Sequence, residues 1–268
     1  MQTNWGSLWQ PTLLSLFLTI TSFVLGFAIA MPIGLVRAYG PVILRKSGRR
    51  KSISIPRQEA RRSDGATHGG QMHHRSSLAK ALVAPAYGVA TGYVEGIRGT
   101  PFYVQMYLIF YFSTFAWAKL PQLFIIVGLL ALTVSTVGYQ AEVFRAAFQS
   151  VGQGQIEAAK AMGMRGRQVF WHVTLPQGLR LVVLPLTNEW IGLFKVTSIL
   201  SFIAIEELLF QAYHLGSILA HPIEAFIMVS IVYLIILIPL SRIVTYVERR
   251  KRIPGLGTPI VMPARGRA

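Results

Sequence analysis

Two ionisable residues, Glu189 and Lys195, lie inside a largely apolar stretch of the chain. A charge at the centre of a bilayer costs about 2.5–3.5 kcal/mol on insertion scales, so such groups are expected to face protein or water. At 100° per residue the two side chains point in different directions and should not pair on one helix. The face that carries Lys195 also holds Asn188, Gly192 and Ser198. These residues predict either the lining of a path for a polar solute or polar contacts between helices.

Patterns for other chemistry are missing from the sequence. There is no G-x-x-x-x-G-K-[ST] nucleotide loop and no H-E-x-x-H zinc pattern. With no cysteines, thiolate ligands and disulfides are excluded. His68, His73 and His74 lie close together, but with no cysteine near them they indicate metal only weakly. We therefore expect no catalysis, no metal and no cofactor in this chain.

The composition indicates an all-α integral membrane protein. Of 268 residues, 53% are hydrophobic and only 13% are charged, with a mean hydropathy of +0.49; a soluble domain has about 25% charged residues. The net charge of +16 could suggest nucleic acid. However, all lysines and arginines except Lys119 and Lys195 fall within residues 37–98, 145–180 and 242–268. This alternation is the positive-inside pattern, which predicts membrane lipid and no nucleic acid as a partner.

Five apolar stretches predict five transmembrane helices, with the N-terminus outside and the C-terminus in the cytoplasm. They cover approximately residues 13–36, 101–118, 122–143, 179–203 and 223–246, and residues 247–268 form a cytoplasmic tail. We expect a break near Gly99, with Thr100 as the N-cap and Pro101 as the first residue of the second span. Arg98 beside this break is either an interfacial anchor or part of a gate.

Two further charged segments flank the spans. Residues 45–77 are basic and rich in serine and glycine, which predicts a disordered cytoplasmic loop or, alternatively, an electrostatic tether to anionic lipid. At the inner end of the third span, Glu142 and Arg145 are three positions apart. This spacing predicts a local ion pair on one helix face.

The connection over residues 154–177 is longer than a turn between two spans requires. Gln155–Met162 is predicted to be a short helix ended by Gly163 in the left-handed conformation. Alanines at positions 158, 159 and 161 would leave a smooth surface that the groove of another protein could approach. A second helical stretch follows, and Pro176 sets the entry into the fourth span.

This connection resembles the cytoplasmic signature of permeases of ATP-binding-cassette (ABC) importers. That signature reads Glu-Ala-Ala, three residues, Gly, nine residues, Ile, one residue and Leu-Pro. The chain has Glu157-Ala158-Ala159, Gly163 and Leu175-Pro176 at this spacing, with Val173 in place of the isoleucine. The resemblance implies the type I importer permease fold and a coupling helix that docks into a separate ATPase. ATP and Mg would then be bound by that ATPase.

Other segments are similar to the polar amino acid branch of these permeases. They are Tyr93–Glu95, Arg98–Pro101, Val104–Gln105, Ala141–Arg145, Asn188–Ile191, Lys195 and Thr197–Ser198. Val196 stands where an acidic residue is common, and Ala146-Ala147 stand where glycines are common. The resemblance implies uptake of a polar amino acid or opine through the bacterial inner membrane. The residues expected to line the path are Arg98, Asn188, Glu189, Gly192, Lys195, Thr197 and Ser198.

The implied partners are ATPase subunits, an extracytoplasmic amino acid binding protein, and a second permease copy or a homologous permease. Two other classes remain open from the residues alone. A secondary transporter could use Glu189 and Lys195 for ion coupling, although it would usually have more spans. A membrane-anchored scaffold or regulator could act through residues 45–77. Dependence of uptake on ATP, and deletion of that loop, would separate these classes.

Overall fold

A computed structural model describes residues 5–48, 69–117 and 123–250 of the chain, and all regular structure in these ranges is helical. A 3-10 turn precedes α1, a π-helical segment (Phe170–Thr174) joins α6 to α7, and a 3-10 segment (Thr197–Ile203) extends α7. The helices are α1 (Trp9–Gly48), α2 (Gly69–Gly99), α3 (Phe102–Trp117), α4 (Phe124–Gln149), α5 (Gln153–Ala161), α6 (Gly166–Val169), α7 (Leu175–Val196), α8 (Leu208–Leu219) and α9 (Pro222–Arg250).

Within the described ranges, four helical stretches are long and apolar enough to cross a membrane. They are Gly6–Val42, Phe124–Gln149, Gly166–Ile203 and Pro222–Tyr246, and they overlap four of the five predicted spans. The predicted span over 101–118 corresponds to α3, which has only 16 residues. At 1.5 Å per residue α3 is about 24 Å long, shorter than the ~30 Å hydrocarbon core. Five spans and their orientation stay predictions.

The helices at the two ends of the predicted disordered loop are longer than expected. Residues 45–48 continue α1 and residues 69–77 begin α2, so the helices enter the 45–77 segment from both sides. The rest of that loop, including His68, lies outside the described residues, as does the C-terminal tail beyond Arg250. The predicted boundaries followed composition alone, and a helix that is already formed extends readily into polar sequence.

Close contact between α1 and α4 depends on glycines of α1. A β-carbon at Gly34 would lie 2.5 Å from Cβ of Phe144 and 2.7 Å from the carbonyl oxygen of Ala141. A β-carbon at Gly26 would overlap the side chain of Thr136. Small residues of this kind let two helix backbones approach within a membrane, where no hydrophobic effect drives them together.

Hydroxyl groups on the buried face of α1 are satisfied within the helix. The hydroxyls of Thr12, Ser15 and Thr19 donate to the carbonyls of Leu8, Pro11 and Ser15, at 2.6, 3.0 and 2.7 Å. Ser22 donates in the same way to Leu18. These bonds let polar side chains pack in an apolar environment without unpaired donors.

The apolar core of residues 1–211 forms two clusters around α1, α4 and α7. One cluster includes residues of α2, and the other includes residues of α3 and the 3-10 segment after α7. The first contains Ala30, Ala38, Val94, Val137, Ala141, Phe144, Phe148, Val182 and Leu186; the second contains Leu18, Met106, Val127, Ala131, Leu132, Leu193, Leu200, Ile203 and Ile205.

Residues 212–268 form a separate compact unit. Its turn is closed by Gly216, where a β-carbon would lie 2.9 Å from Cα of Pro222. The rings of Tyr213 and Phe226 meet edge to face at 5.1 Å. In the most apolar part of α9 only 11% of residues are buried, although its mean hydropathy is 2.6. Such an exposed apolar helix is stable in lipid and unfavourable in water.

Candidate coupling loop and translocation cavity

The predicted end of the short helix at Gly163 is confirmed in its geometry. α5 ends at Ala161, and Gly163 has φ +85°. The amide of Gly163 donates to the carbonyl of Lys160 (3.0 Å) and that of Met164 to Ala159 (3.1 Å), which is the bonding pattern of a Schellman cap. Glycine adopts this φ without strain, whereas other residues do not. The chain therefore reverses direction at Gly163 at low cost.

The surface of α5 differs in one respect from the prediction. Glu157 and Ala158 are exposed, as is Ala161, but Ala159 is only 2% exposed. Ala159 therefore packs inward against the rest of the loop and does not belong to the smooth outer surface. A small residue is needed at that position because α5 lies directly on the following segment. The outward surface includes the other two alanines and Glu157.

The second helical stretch predicted after Gly163 is present, and it continues directly into the predicted fourth span. α6, the π-helical segment and α7 follow one another without a break, and Val173, Leu175 and Pro176 are half-buried within them. Pro176 has no amide hydrogen and its ring would clash with the carbonyl four positions earlier in an α-helix. The wider π turn before it, with the Leu175 amide bonded to Phe170, accommodates this.

Side-chain contacts join the candidate coupling loop, residues 154–177, to the neighbouring helices. Gln177 of α7 donates a hydrogen bond to Gln155 of α5. The ring of Phe170 meets that of Tyr39 on α1 edge to face, with centroids 5.9 Å apart. Gly178 contacts the ring of Phe148 on α4 so closely that a β-carbon would overlap it. These contacts join the segment 154–178 to α1 and α4, and α5 to α7.

A cavity of about 230 Å³ opens between α3, α4 and α7. It combines one carboxylate and three hydroxyl side chains with apolar walls, a composition suited to a small polar solute. Its lining residues are Phe102, Ser135, Thr136, Tyr139, Glu189, Gly192, Leu193 and Val196. The structure thus brings two predicted path residues, Glu189 and Gly192, together with α4 side chains for which the sequence pattern gave no signal.

The other predicted path residues of α7 and of the 3-10 segment after it do not line this cavity. Asn188 and Lys195 are exposed on the helix, and no ion pair joins Lys195 to Glu189 in the described part of the chain. Thr197 is buried and donates to the Phe194 carbonyl at 2.8 Å; Ser198 donates to the Lys195 carbonyl at 2.7 Å. Only some of the predicted polar residues therefore face the cavity, and the others are exposed or bonded within the helix.

Glu142 is the centre of an ion cluster at the end of α4. The predicted pair is confirmed, with Nη2 of Arg145 2.5 Å from Oε1 of Glu142. Arg37 of α1 and Arg98 of α2 join it, their Nη1 atoms 2.6 Å from Oε2 and 3.5 Å from Oε1 respectively. Arg37 also lies 3.7 Å from Glu95 of α2. One carboxylate thus links three helices.

The break between α2 and α3 is confirmed, but its cap is not the predicted one. The Thr100 hydroxyl donates backward to the carbonyl of Gly96 (2.9 Å), so Thr100 does not cap α3. The carbonyl of Pro101 accepts the amides of Val104 (3.0 Å) and Gln105 (3.2 Å), which makes Pro101 the N-cap. The buried Gln105 amide donates to the carbonyls of Ile97 (2.6 Å) and Thr100 (2.9 Å). These bonds satisfy carbonyls that a broken helix leaves free.

Comparison with known proteins places this geometry in a family. Residues 76–253 match the family described as binding-protein-dependent transport system inner membrane component. The chain is 36% identical over 166 residues to the probable glutamine ABC transporter permease protein GlnM of Bacillus subtilis, covering 62% of this chain and 76% of the relative. It is 36% identical over 168 residues to the nopaline transport system permease protein NocM of Agrobacterium fabrum, covering 60% and 70%.

The fold agrees with that of a solved structure. A crystal structure of an amino acid ABC transporter with histidines superimposes with a TM-score of 0.70 at 25% identity, covering 93% of this chain and 100% of that one. In this family the ATPase is a separate subunit. The chain therefore belongs to the family of inner membrane components of binding-protein-dependent transport systems, the permease subunits of ABC importers.

Proposed function

We propose that this permease carries a polar amino acid or a related compound, and that α5 couples its movement to a partner ATPase. The relatives named for glutamine and nopaline transport support this class of substrate. The observation that carries the coupling role is the geometry of Glu157 and Ala158. Both are exposed on a short helix whose end is fixed by the left-handed Gly163.

The connection between α5 and the membrane is stiff. The helix that follows Gly163 runs from Gly166 to Ile203, and the Gln155–Gln177 hydrogen bond ties its first third to α5. A force applied to α5 by an ATPase would move this helix as a body and would not be lost in a flexible linker. Rigid-body rocking of helices around a fixed pathway then opens the cavity to alternate sides.

The cavity beside Glu189 is proposed as part of the pathway. A carboxylate can accept hydrogen bonds from the ammonium group that amino acids carry, and the hydroxyls of Ser135, Thr136 and Tyr139 can donate to a substrate carboxylate. Both kinds of group converge on one cavity of amino acid size. Lys195 and Asn188, which are exposed on α7, are more suitably placed for contacts with another chain.

The proposed assembly contains further components. A second copy of this permease or a homologous one would complete the pathway, ATPase subunits would bind ATP and Mg, and an extracytoplasmic binding protein would deliver the substrate. The description of the family as binding-protein-dependent supports the last of these. Membrane lipid would cover apolar faces such as that of α9.

Replacement of Gly163 tests the coupling role. In the complete transporter reconstituted in lipid vesicles, Gly163→Val should reduce uptake at least about tenfold per ATP hydrolysed, because a β-branched residue is strained at φ +85° and would displace α5. Uptake and phosphate release are measured on the same vesicles. Gly166→Val is the matched control, since Gly166 lies in the same loop, outside the left-handed region and with open space around it. Normal coupling in Gly163→Val would refute the role of α5.

A further inference from the structure

Only a glycine fits where the first turn of α7 lies against α4. A β-carbon at Gly178 would overlap the ring of Phe148, and both residues are buried. Leu175, three positions earlier in the signature, packs against the same apolar cluster as Phe148. The residue next to Gly178 is Gln177, whose side chain bonds α5. α7 therefore meets α4 directly at the point where the candidate coupling loop ends.

The ring of Phe148 continues this buried contact toward α1. It stacks on Phe144, one turn earlier on α4, with centroids 6.3 Å apart and planes 14° apart. Phe144 meets Phe27 of α1 edge to face at 5.2 Å, and its Cβ would lie 2.5 Å from a β-carbon at Gly34. Phe144 and Phe148 are 0% and 3% exposed. These two rings, the aromatic column, thus have α7 at one end and α1 at the other.

A cavity of about 390 Å³ opens between α4 and α7 next to this column. Leu181 and Pro185 line it from α7, and Glu142, Val143, Ala146, Ala147 and Ser150 line it from α4. Side chains that face each other across a void make no dispersion contact. Gly178 and Phe148 therefore provide direct contact at the edge of a region where the lining side chains of the two helices are apart.

The contact at Gly178 has little freedom to adjust. Glycine has no side chain that could change rotamer, and the ring of Phe148 is confined because it is buried and stacked on Phe144. Close-packed interiors of this kind have low compressibility and transmit strain. A shift of the first turn of α7 toward α4 would therefore press on the aromatic column and would not be absorbed between the two helices.

We propose that Phe148 is a positioning residue for coupled transport. Its ring holds the first turn of α7 against α4, and through Phe144 against α1, so that the three helices move together when a partner ATPase displaces the coupling loop. This inference rests on the proposed function, because it takes α5 as the place where the ATPase acts. It adds the contact through which that movement reaches the helices that line the cavity.

The test follows the cavity with a thiol reporter and needs no known substrate. The native chain has no cysteine, and Gly192 lines the cavity with open space at its β-carbon position. Gly192→Cys is introduced into the complete transporter, with its ATPase and binding protein, in lipid vesicles. The rate of reaction with a methanethiosulfonate reagent is measured without nucleotide and after trapping with ATP and vanadate. Phosphate release before trapping and thermal unfolding are measured on the same preparations.

The parent should show two different rates, at least about fivefold apart, which is the lower end of typical coupling between distant sites. Gly178→Ala places a methyl group where the Phe148 ring lies, so α7 is displaced from α4. Its two rates should agree within about twofold while phosphate release continues. Phe148→Ala removes the contact without a clash and should lose the response in the same way.

A double variant tests whether the two residues act through each other. Phe148→Leu makes room for the added methyl group and keeps an apolar contact with α7. In combination with Gly178→Ala it should therefore regain at least about half of the rate ratio of the parent, which is the non-additivity expected of residues in contact.

Gly40→Ala is the matched control. Gly40 of α1 lies against the ring of Tyr87 on α2, and its β-carbon position is 2.6 Å from Cδ2 of that ring. The substitution therefore causes the same kind of clash at a contact that does not involve α7. It should lower the unfolding temperature about as much as Gly178→Ala does, because both overpack a buried glycine. It should leave the response to nucleotide in place.

The outcomes separate this inference from the proposed function. A full response to nucleotide in Gly178→Ala or Phe148→Ala, or an equal loss in Gly40→Ala, would overturn the positioning role of Phe148. Neither result would affect the role of α5, which the Gly163 test addresses. A parent whose reporter does not respond to nucleotide would contradict the proposed function itself, and this inference would fail with it.

Discussion

At the scale of single residues, Glu207 is a fully buried carboxylate outside the four candidate spans. Its Oε1 accepts the amide of Phe210 at 2.9 Å, and the neighbouring Leu208 amide donates to the hydroxyl of Ser15 on α1 at 3.3 Å. Its Oε2 has no hydrogen-bond partner among the described residues. Burial raises the pKa of Glu207 from 4.5 to about 7, against the smaller opposite effects of the backbone amides of Leu209, Phe210 and Leu208 and of the Ser15 hydroxyl.

This pKa predicts that stability falls as the pH rises. The protonated form of Glu207 is favoured in the folded chain, so its contribution is complete below pH 4.5 and is lost as the pH rises to about 7. Glu207→Gln should therefore be more stable than the native chain at pH 8, by at most about 3 kcal/mol, and similar to it at pH 4.5. Thermal unfolding in detergent at the two pH values measures this.

The exposed neighbour Glu206 provides the control for this prediction. Glu206→Gln should unfold with the same pH dependence as the native chain, because it leaves the buried Glu207 in place. If Glu207→Gln and the native chain lost stability equally between the two pH values, the assignment of the titration to Glu207 would be wrong.

Residue-level predictions from the sequence succeeded where the determinants lie within a few positions. The left-handed Gly163 and the Glu142–Arg145 pair follow from local spacing and helix geometry. The partnership of Arg37 with Glu142 joins residues 105 positions apart, and nothing in either neighbourhood specifies it. Thr100 was wrongly predicted as a cap because Gln105, on the next helix, decides which groups at the break are satisfied.

At the scale of helices, the contact between α1 and α4 depends on the absence of a side chain at Gly34. Gly34→Ala should lower the free energy of unfolding by about 1–3 kcal/mol, because the added carbon would meet Phe144 and a backbone carbonyl that cannot move aside easily. Thermal unfolding in detergent is the measurement.

Gly92→Ala on α2 is the matched control, since this helical glycine has open space around it. It should leave stability unchanged or raise it by about 0.5–1 kcal/mol, the usual gain from replacing glycine in a helix. Equal effects of the two substitutions would contradict the close packing of α1 on α4.

At the scale of the whole molecule, the predicted orientation places α5 in the cytoplasm and the connection before α8 outside. Glu157 and Glu206 are exposed on these two segments. In the cysteine-free chain, a membrane-impermeant thiol reagent should label Glu206→Cys in intact spheroplasts and Glu157→Cys only after the membrane is opened. The amount of labelled chain on a gel measures this.

The opposite pattern of labelling would contradict the positive-inside assignment of orientation. It would also contradict the coupling role of α5, which requires α5 to lie in the cytoplasm.

The same experiment bears on the number of spans. Four long helices follow directly from apolar length, which is why the sequence predicted them. The 16-residue α3 does not meet that criterion, because whether it crosses depends on what surrounds it and not on its own residues.

The uninterrupted helix from Gly166 to Ile203 has one more consequence, which concerns insertions and deletions. Each residue added to an α-helix rotates everything beyond it by 100° and advances it by 1.5 Å. A single insertion between Gly166 and Pro176 would turn Glu189 away from the cavity or turn α5 away from its outward position. The length of this segment is therefore set by helical phase, which accounts physically for the fixed spacing between Gly163 and Leu175-Pro176 in the signature that this connection resembles.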